Sequence, residues 1–471
     1  MPDTTILWTR KDLQAATGGQ LAGDVKVHGV CIDTRTLKHG DLFIALIGHN
    51  SDGHRYLRQA LEAGASCVMA HDEAAISTAG LTDDPRLLKV DDTMQGLEAL
   101  GRYRRAQFSG RVIAVTGSVG KTTTKNMLAT ALAPYGQVHA SVASFNNHWG
   151  VPLTLARLPE EAAFCISEVG MNHPGEIAPL AAQIRPDIGL ITTIGSAHLG
   201  HMGSIDAIAD EKAALFAALP SSGTALCPEA SQGLARLKQA LPTGVSLWQA
   251  GVTPSATIRI TDLTCAADGS QFHLTTPRGD TDVRLAAPGP HLARNAALAL
   301  GAIAALGLDP KAGAEALRHF QPEAGRGQQR LLPGGITLLD ESYNASGPSV
   351  RAALDTLALM PARRHLAALG DIRELGQFAE AEHRALAEPL MKHDILTFCC
   401  GPHMKSLYEA LPPSLQGGYA ENSVQLASLL HPALQKGDVL LVKGSLGSNM
   451  RALIALLEQP ISTTTHAPES A

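Results

Sequence analysis

The stretch Val112-Ile-Ala-Val-Thr-Gly-Ser-Val-Gly-Lys-Thr-Thr-Thr124 constrains this chain more than any other. Val112 to Val115 reads as a short buried strand, Gly117 and Gly120 bracket a tight turn, and Thr122 to Ala133 reads as a helix. Such a strand, loop and helix N-terminus form an anion site, because unpaired backbone N–H groups converge and the helix dipole adds partial positive charge. Gly117, Ser118, Val119, Gly120, Lys121, Thr122 and Thr123 are therefore expected to cradle ATP. Lys121 would reach its terminal phosphates, and the Thr122 hydroxyl stands where Mg²⁺ is usually held. The loop is a short form, G-x-x-G-K-T, with Val115 where the longer pattern has its first glycine.

Around this loop, apolar strands alternate with helical segments, which predicts an α/β chain with parallel sheets and ligands at the strand carboxyl ends. The 471 residues suffice for about three domains. Residues 1–88 read as a small α/β domain. Residues 89–325 read as a central P-loop domain with a parallel sheet and, from 256 to 285, a small antiparallel sheet packed on its edge. Residues 326–458 read as a Rossmann-like domain without a P-loop, and 459–471 as a disordered tail. Within these, unbroken elements are expected at Val25–Cys31 (strand), Ala379–Met391 (helix) and Ala207–Ala218 (amphipathic helix).

With 45% hydrophobic and 17% charged residues, the chain can bury a sizeable core. A net charge of −6 argues against a broad nucleic-acid surface. Seven scattered cysteines without a C-x-x-C pair suit a reducing cytoplasm. The N-terminus lacks a signal-peptide core, and no apolar run reaches the roughly 18 residues a membrane span needs.

Polar candidates cluster at strand ends. Glu168 ends an apolar strand, where a carboxylate can ligate Mg²⁺. His198 and His201 follow another strand and could complete a metal shell or cap the loop. Lys212 lies beside Asp210 and Glu211 on its helix and reads, from spacing alone, as a solvated surface lysine. Asp340-Glu-Ser-Tyr343-Asn344, Gly370 to Gly376 and Lys443-Gly-Ser445 are three polar turns after three strands, suggesting one ligand-facing edge.

These residues together resemble the Mur ligase family of peptidoglycan synthesis along nearly the whole chain. The likeness rests on Asp33-Thr-Arg-Thr36, Asp52-Gly-His54, the phosphate loop, Ser144-Phe-Asn-Asn147 and Glu168-Val-Gly-Met-Asn-His-Pro-Gly-Glu-Ile177. It continues through Ala197-His-Leu199, Glu211-Lys212, His291 to Asn295, Gly325-Arg326, Asp340 to Ser346 and Leu369 to Gly376. Its branch is the one joining D-alanyl-D-alanine to UDP-N-acetylmuramoyl-tripeptide.

The resemblance implies an ATP-dependent, ADP-forming amide ligase acting through an acyl phosphate, with ATP and Mg²⁺ as cofactors. It implies Lys121, Lys212 and His198 as catalytic residues. Metal would be held by Thr122, Glu168, His198 and Lys212, the lysine carrying a CO₂-derived carbamate. Asn295, Arg326, Asp340, Tyr343 and Asn344 would bind ATP. Asp33, Thr34, Arg35, Asp52, Gly53 and His54 would hold the UDP moiety, Asn146 and Asn147 the sugar-peptide, and Asn172 and His173 the dipeptide. A cytoplasmic monomer, without nucleic-acid or membrane partners, is expected. The resemblance departs from the family at Leu446, where an arginine usually follows Lys-Gly-Ser, and at His148-Trp149. Another Mur-type or folylpolyglutamate-type ligase is the nearer alternative, and a non-catalytic P-loop protein the more distant one.

Overall fold

The computed structural model describes residues 5–48 and 51–459; Pro460 to Ala471, read above as a tail, lies outside the described residues. Three sheets organise it, of four, nine and six strands, beside a two-stranded ribbon.

The central sheet is built outward from Arg111–Thr116. This strand is flanked in parallel by Ile188–Ile191 and Phe164–Glu168, with Val115 opposite both Leu190 and Glu168. Parallel strands with both faces covered read as continuous apolar runs, which is why Val112 to Val115 carries no alternation. Ile113 and Val115 pack toward helices Lys121–Leu132 and Pro290–Ala305. Val112 and Ala114 face the opposite layer, including helices Gly150–Ala156, Ile177–Ile184 and Ile205–Ala217. The sheet register brings Thr116, Glu168 and Ile191 to one edge.

The antiparallel strands Ile258–Ala266, Gly269–Thr276 and Gly279–Leu285 are continuous with this sheet, joined by parallel pairing of Ala250 with Ile258. They extend its edge in the same layer. Ile258, Ile260, Phe272, Leu274, Val283 and Leu285 alternate inward onto Pro290–Ala305, so one helix covers both parts.

The first sheet orders Gly29–Cys31, Asp41–Ile44, Cys67–Ala70 and Leu87–Lys89 in parallel. The strand expected over Val25–Cys31 is divided: Lys26–Val27 pairs with Trp8–Thr9, and Gly29–Cys31 turns into the four-stranded sheet. That division lets Trp8, 0% exposed, seal the core and donate from Nε1 to the Ala156 carbonyl at 2.9 Å. Arg157 returns the link, with Nε 2.6 Å from the Val30 carbonyl oxygen.

The third sheet orders Gln328–Leu332, Ile336–Glu341, Val439–Lys443, His365–Gly370, Leu396–Cys400 and Gln416–Ala420, with its first pair antiparallel and the rest parallel. The helix expected over Ala379–Met391 is two, Ala379–Arg384 and Ala387–Lys392. Pro389 has no N–H for the Ala385 carbonyl and its ring crowds that oxygen, so the helix breaks there; Arg351 Nη1 takes the carbonyl at 3.3 Å. Among the described residues every cysteine is unpaired, and no helix is long and apolar enough to cross a membrane.

Candidate active site

The phosphate loop is moulded by the neighbouring strand end. Gly117 has φ 147°, and a Cβ there would lie 2.0 Å from Thr192 Oγ1. Gly120 is left-handed at φ 85°, with the Asn295 amide 3.1 Å from where its Cβ would be. Only glycine meets both conditions without displacement. Thr192 donates to the Val119 carbonyl at 2.5 Å. The Ser118 hydroxyl donates to the Gly195 carbonyl at 3.1 Å and accepts the Gly195 amide at 3.0 Å. Lys121 Nζ donates to the Gly117 carbonyl at 2.9 Å, which holds its ammonium over the loop.

Glu168 joins this loop to the next. Its Oε2 accepts the Thr122 hydroxyl and its Oε1 accepts Asn146 Nδ2, each at 2.8 Å. The carboxylate is 1% exposed. Lys121 and Lys125 both feel its charge, with Arg326 and Glu323 close by, so three cations face two carboxylates, a balance suited to a polyanion. Lys125 was not singled out by sequence. Buried, it donates to the Ser141 and Ala143 carbonyls at 2.7 and 2.6 Å, bracing the loop that carries Asn146. Burial lowers the pKa of both Lys121 and Lys125, with Glu168 opposing the shift.

Mg²⁺ is usually held by one or two carboxylates plus substrate phosphates, and the Thr122–Glu168 pair fits that hard-oxygen preference. Among the described residues no group of three or more His, Cys, Asp or Glu forms an all-protein cage.

Lys212 is not a surface residue. It is 1% exposed, and its Nζ has no hydrogen bond or ion pair among the described residues. Burial, then the positive field of Lys121, pushes its pKa well below the ordinary lysine value, against a smaller opposing pull from Glu211. The sequence did hold a signal. Ile208, Ala209, Leu215 and Phe216 lie three or four positions either side, placing Lys212 on the apolar stripe of its helix. Its acidic neighbours are occupied elsewhere: Glu211 accepts the Gly175 and Ile177 amides at 2.7 Å, and Asp210 pairs with Arg236. A neutral buried amine is the form that reacts with CO₂, and the resulting carbamate would balance the surrounding cations. The residues present therefore fit that modification.

The C-terminal sheet turns its strand ends toward the same region. Asp340, 4% exposed, accepts the amide and hydroxyl of Ser342 at 3.0 and 2.6 Å. Arg326 lies over the Tyr343 ring at 3.9 Å, and the Tyr343 hydroxyl is 2.5 Å from Ser144 Oγ on the Asn146 loop. Asn344 is held through its carbonyl by buried Lys443, 2.9 Å away, which also pairs with Glu341 at 3.0 Å. His198 meets Glu374 across the interface, Nδ1 to Oε2, at 2.5 Å. Nothing in the sequence linked these two, since they are 176 positions apart.

Asn147 Oδ1 accepts the Gly150 amide at 2.9 Å, opening the helix behind the loop. Asn172 donates its amide to Glu176 at 2.7 Å, and His173 stacks on His201 at 4.8 Å. In the N-terminal unit, Asp33 and Arg35 form an exposed fork beside Thr34, with Nη2 to Oδ2 at 2.6 Å. Asp52 accepts the His54 amide at 2.9 Å. The His54 ring is turned inward, where its Nε2 accepts the His71 amide at 3.3 Å. Gly53 lies against the Ala45 backbone, with its Cβ position 2.8 Å from Ala45 Cα. Trp149, unexplained by sequence, stacks edge-on with Phe145 at 5.0 Å, and both pack against the N-terminal core.

Family models match in three consecutive blocks. Residues 26–102 match the Mur ligase family catalytic domain, 115–303 the Mur ligase middle domain, and 325–446 the Mur ligase glutamate ligase domain. A Synechocystis sp. protein named UDP-N-acetylmuramoyl-tripeptide–D-alanyl-D-alanine ligase is 34% identical, over 94% of this chain and 95% of its own. The chain belongs to the Mur ligase family. An Escherichia coli protein of the same name is 32% identical to this Mur ligase over 96% of this chain and 98% of its own. The crystal structure of MurF from Acinetobacter baumannii superposes with a TM-score of 0.84 at 28% identity, covering 96% of this Mur ligase and 99% of that chain. The three-domain α/β architecture is thus shared over 96% of the chain.

Proposed function

We propose that this Mur ligase uses ATP to join D-alanyl-D-alanine to UDP-N-acetylmuramoyl-tripeptide, in the cytoplasm, as a step in making peptidoglycan precursors. The tripeptide carboxylate attacks the γ-phosphorus and ADP leaves. The dipeptide amine then attacks the acyl carbon, phosphate departs, and the amine loses its proton.

The observation that carries this reading is the bridge through Glu168. One carboxylate joins Thr122 of the nucleotide loop to Asn146 of the loop proposed to line the sugar-peptide path. Two anions must meet for the first step, and the cationic set of Lys121, Lys125 and Arg326 offsets their repulsion. Thr122 and Glu168 would hold Mg²⁺, which supplies Lewis-acid neutralisation of the phosphates; His198 and carbamylated Lys212 would serve a second ion. Asn295 and Arg326 would bind ATP from the central side, and Asp340, Tyr343 and Asn344 from the C-terminal side. Closure between these units would shield the acyl phosphate from water.

In this reading residues 1–88 hold UDP, chiefly through the turns at Asp33 to Arg35 and Asp52 to His54. Residues 89–325 hold ATP, and 326–458 complete the site. Asn172 and His173 would meet the dipeptide, and the protein would act as a monomer. The test is phosphate release by purified protein. Release that requires both UDP-muramoyl-tripeptide and D-alanyl-D-alanine is expected. Release indifferent to either would overturn the proposal, and release with a single amino acid would assign a sister activity.

A further inference from the structure

His198 is left-handed, φ 64°, immediately before the short helix Leu199–Met202. Glu374, facing it from the C-terminal unit, is left-handed as well, φ 64°. Left-handed non-glycine residues are uncommon and persist where surroundings hold them. Here each side supplies that support. Glu374 accepts the His198 Nδ1 proton through Oε2 at 2.5 Å, while its backbone carbonyl accepts the Gly200 amide at 2.9 Å. Gly200 and Gly376 touch alongside, where a Cβ on Gly200 would lie 2.6 Å from the Gly376 nitrogen. One residue of the C-terminal unit therefore grips both the ring and the backbone of one central-unit turn.

A neutral imidazole that donates through Nδ1 keeps its lone pair on Nε2. Metal-ligating and proton-accepting histidines are commonly oriented by such a carboxylate. Nε2 of His198 makes no hydrogen bond among the described residues. We infer that Glu374 is a positioning residue, which holds His198 with Nε2 as the free lone-pair nitrogen only while the C-terminal and central units are docked. What Nε2 then serves rests on the ligase reading above; the ring and carboxylate arrangement does not.

The experiment uses full-length protein carrying ¹⁵N-histidine, with His198→Asn assigning the ring signals. Wild type is expected to show His198 as the Nδ1-protonated tautomer. Glu374→Ala should lose that signature, and Glu374→Gln should keep it, because the amide carbonyl accepts the same proton. In turnover, Glu374→Ala should lower kcat about 10- to 100-fold and raise the half-saturating Mg²⁺ concentration. The KM for the UDP-tripeptide should stay unchanged, and Glu374→Gln should recover most of the rate. A His198 signal indifferent to Glu374→Ala would overturn the inference, as would a Gln variant matching Ala in both signal and rate. The ring measurement needs no substrate, so it decides the role of Glu374 even if the proposed substrates fail to turn over.

Discussion

Thr122 and Glu168 are hydrogen-bonded at 2.8 Å, hydroxyl to carboxylate, across 46 positions of chain. The contact puts a hard oxygen pair at the foot of the phosphate loop and leaves the other carboxylate oxygen for Asn146. Glu168→Gln keeps the shape and removes the charge. Its expected effect is a fall in kcat of about 10²- to 10³-fold with a higher Mg²⁺ requirement. Phosphate release across a Mg²⁺ titration checks it, and an unchanged rate and Mg²⁺ dependence would remove Glu168 from the reaction.

Lys212→Ala should abolish most turnover, and a short carboxylic acid added to the assay should restore part of it. This follows from a buried amine with no partner of its own. Wild-type activity in Lys212→Ala would show that the lysine only fills space.

Lys212 also makes a pH prediction. Its folded-state pKa is depressed by burial and by Lys121, so the unfolded chain binds the extra proton more readily. Stability contributed at this site is complete above the ordinary lysine value, near 10.5, and declines as pH falls through the folded value. Lys212→Met should therefore be more stable than wild type at neutral pH, with the advantage shrinking as pH rises toward that ordinary value. Denaturant melts across the alkaline range, with CO₂ excluded, measure it. A constant difference would contradict the shift.

Gly200→Ala should separate the central and C-terminal units, because its Cβ would meet the backbone of Gly376 and of Glu374, 2.8 Å from the Glu374 oxygen. A displacement near 1 Å at a reacting centre can cost about 100-fold in rate. The expected variant binds the UDP-tripeptide normally by titration and turns over slowly. Normal kcat would show that this docking is dispensable.

Trp8→Ala should destabilise the protein by about 3–5 kcal/mol, since it empties a fully buried site. It also leaves the Ala156 carbonyl without its indole donor. Chemical denaturation would detect it, and a loss below about 1 kcal/mol would mean that the core collapses around the gap.

Local chemistry made much of this protein readable in advance. The run Val112 to Val115, two glycines and Lys121 dictate a strand, a tight turn and a helix start, because each depends on neighbours within a few residues. The strand ends at Glu168, Asp340, Gly370 and Lys443 were legible for the same reason. Lys212 reads as solvated because its charged neighbours outweigh the apolar spacing around it, although that spacing describes its environment correctly. The divided strand at His28 and the helix broken before Pro389 show the other limit, where a partner's position or a single missing N–H decides an element boundary.

The sequence by itself determined the phosphate loop, the α/β alternation and the set of polar turns, all products of short-range sterics and periodicity. Only the tertiary structure decided which turns meet. The parallel register of Phe164–Glu168 beside Arg111–Thr116 brings Glu168 to Thr122, and the docking of two units brings Glu374 to His198. Such contacts depend on sheet order and unit packing, which are set by the burial of whole faces and leave no mark in the spacing between the residues they join.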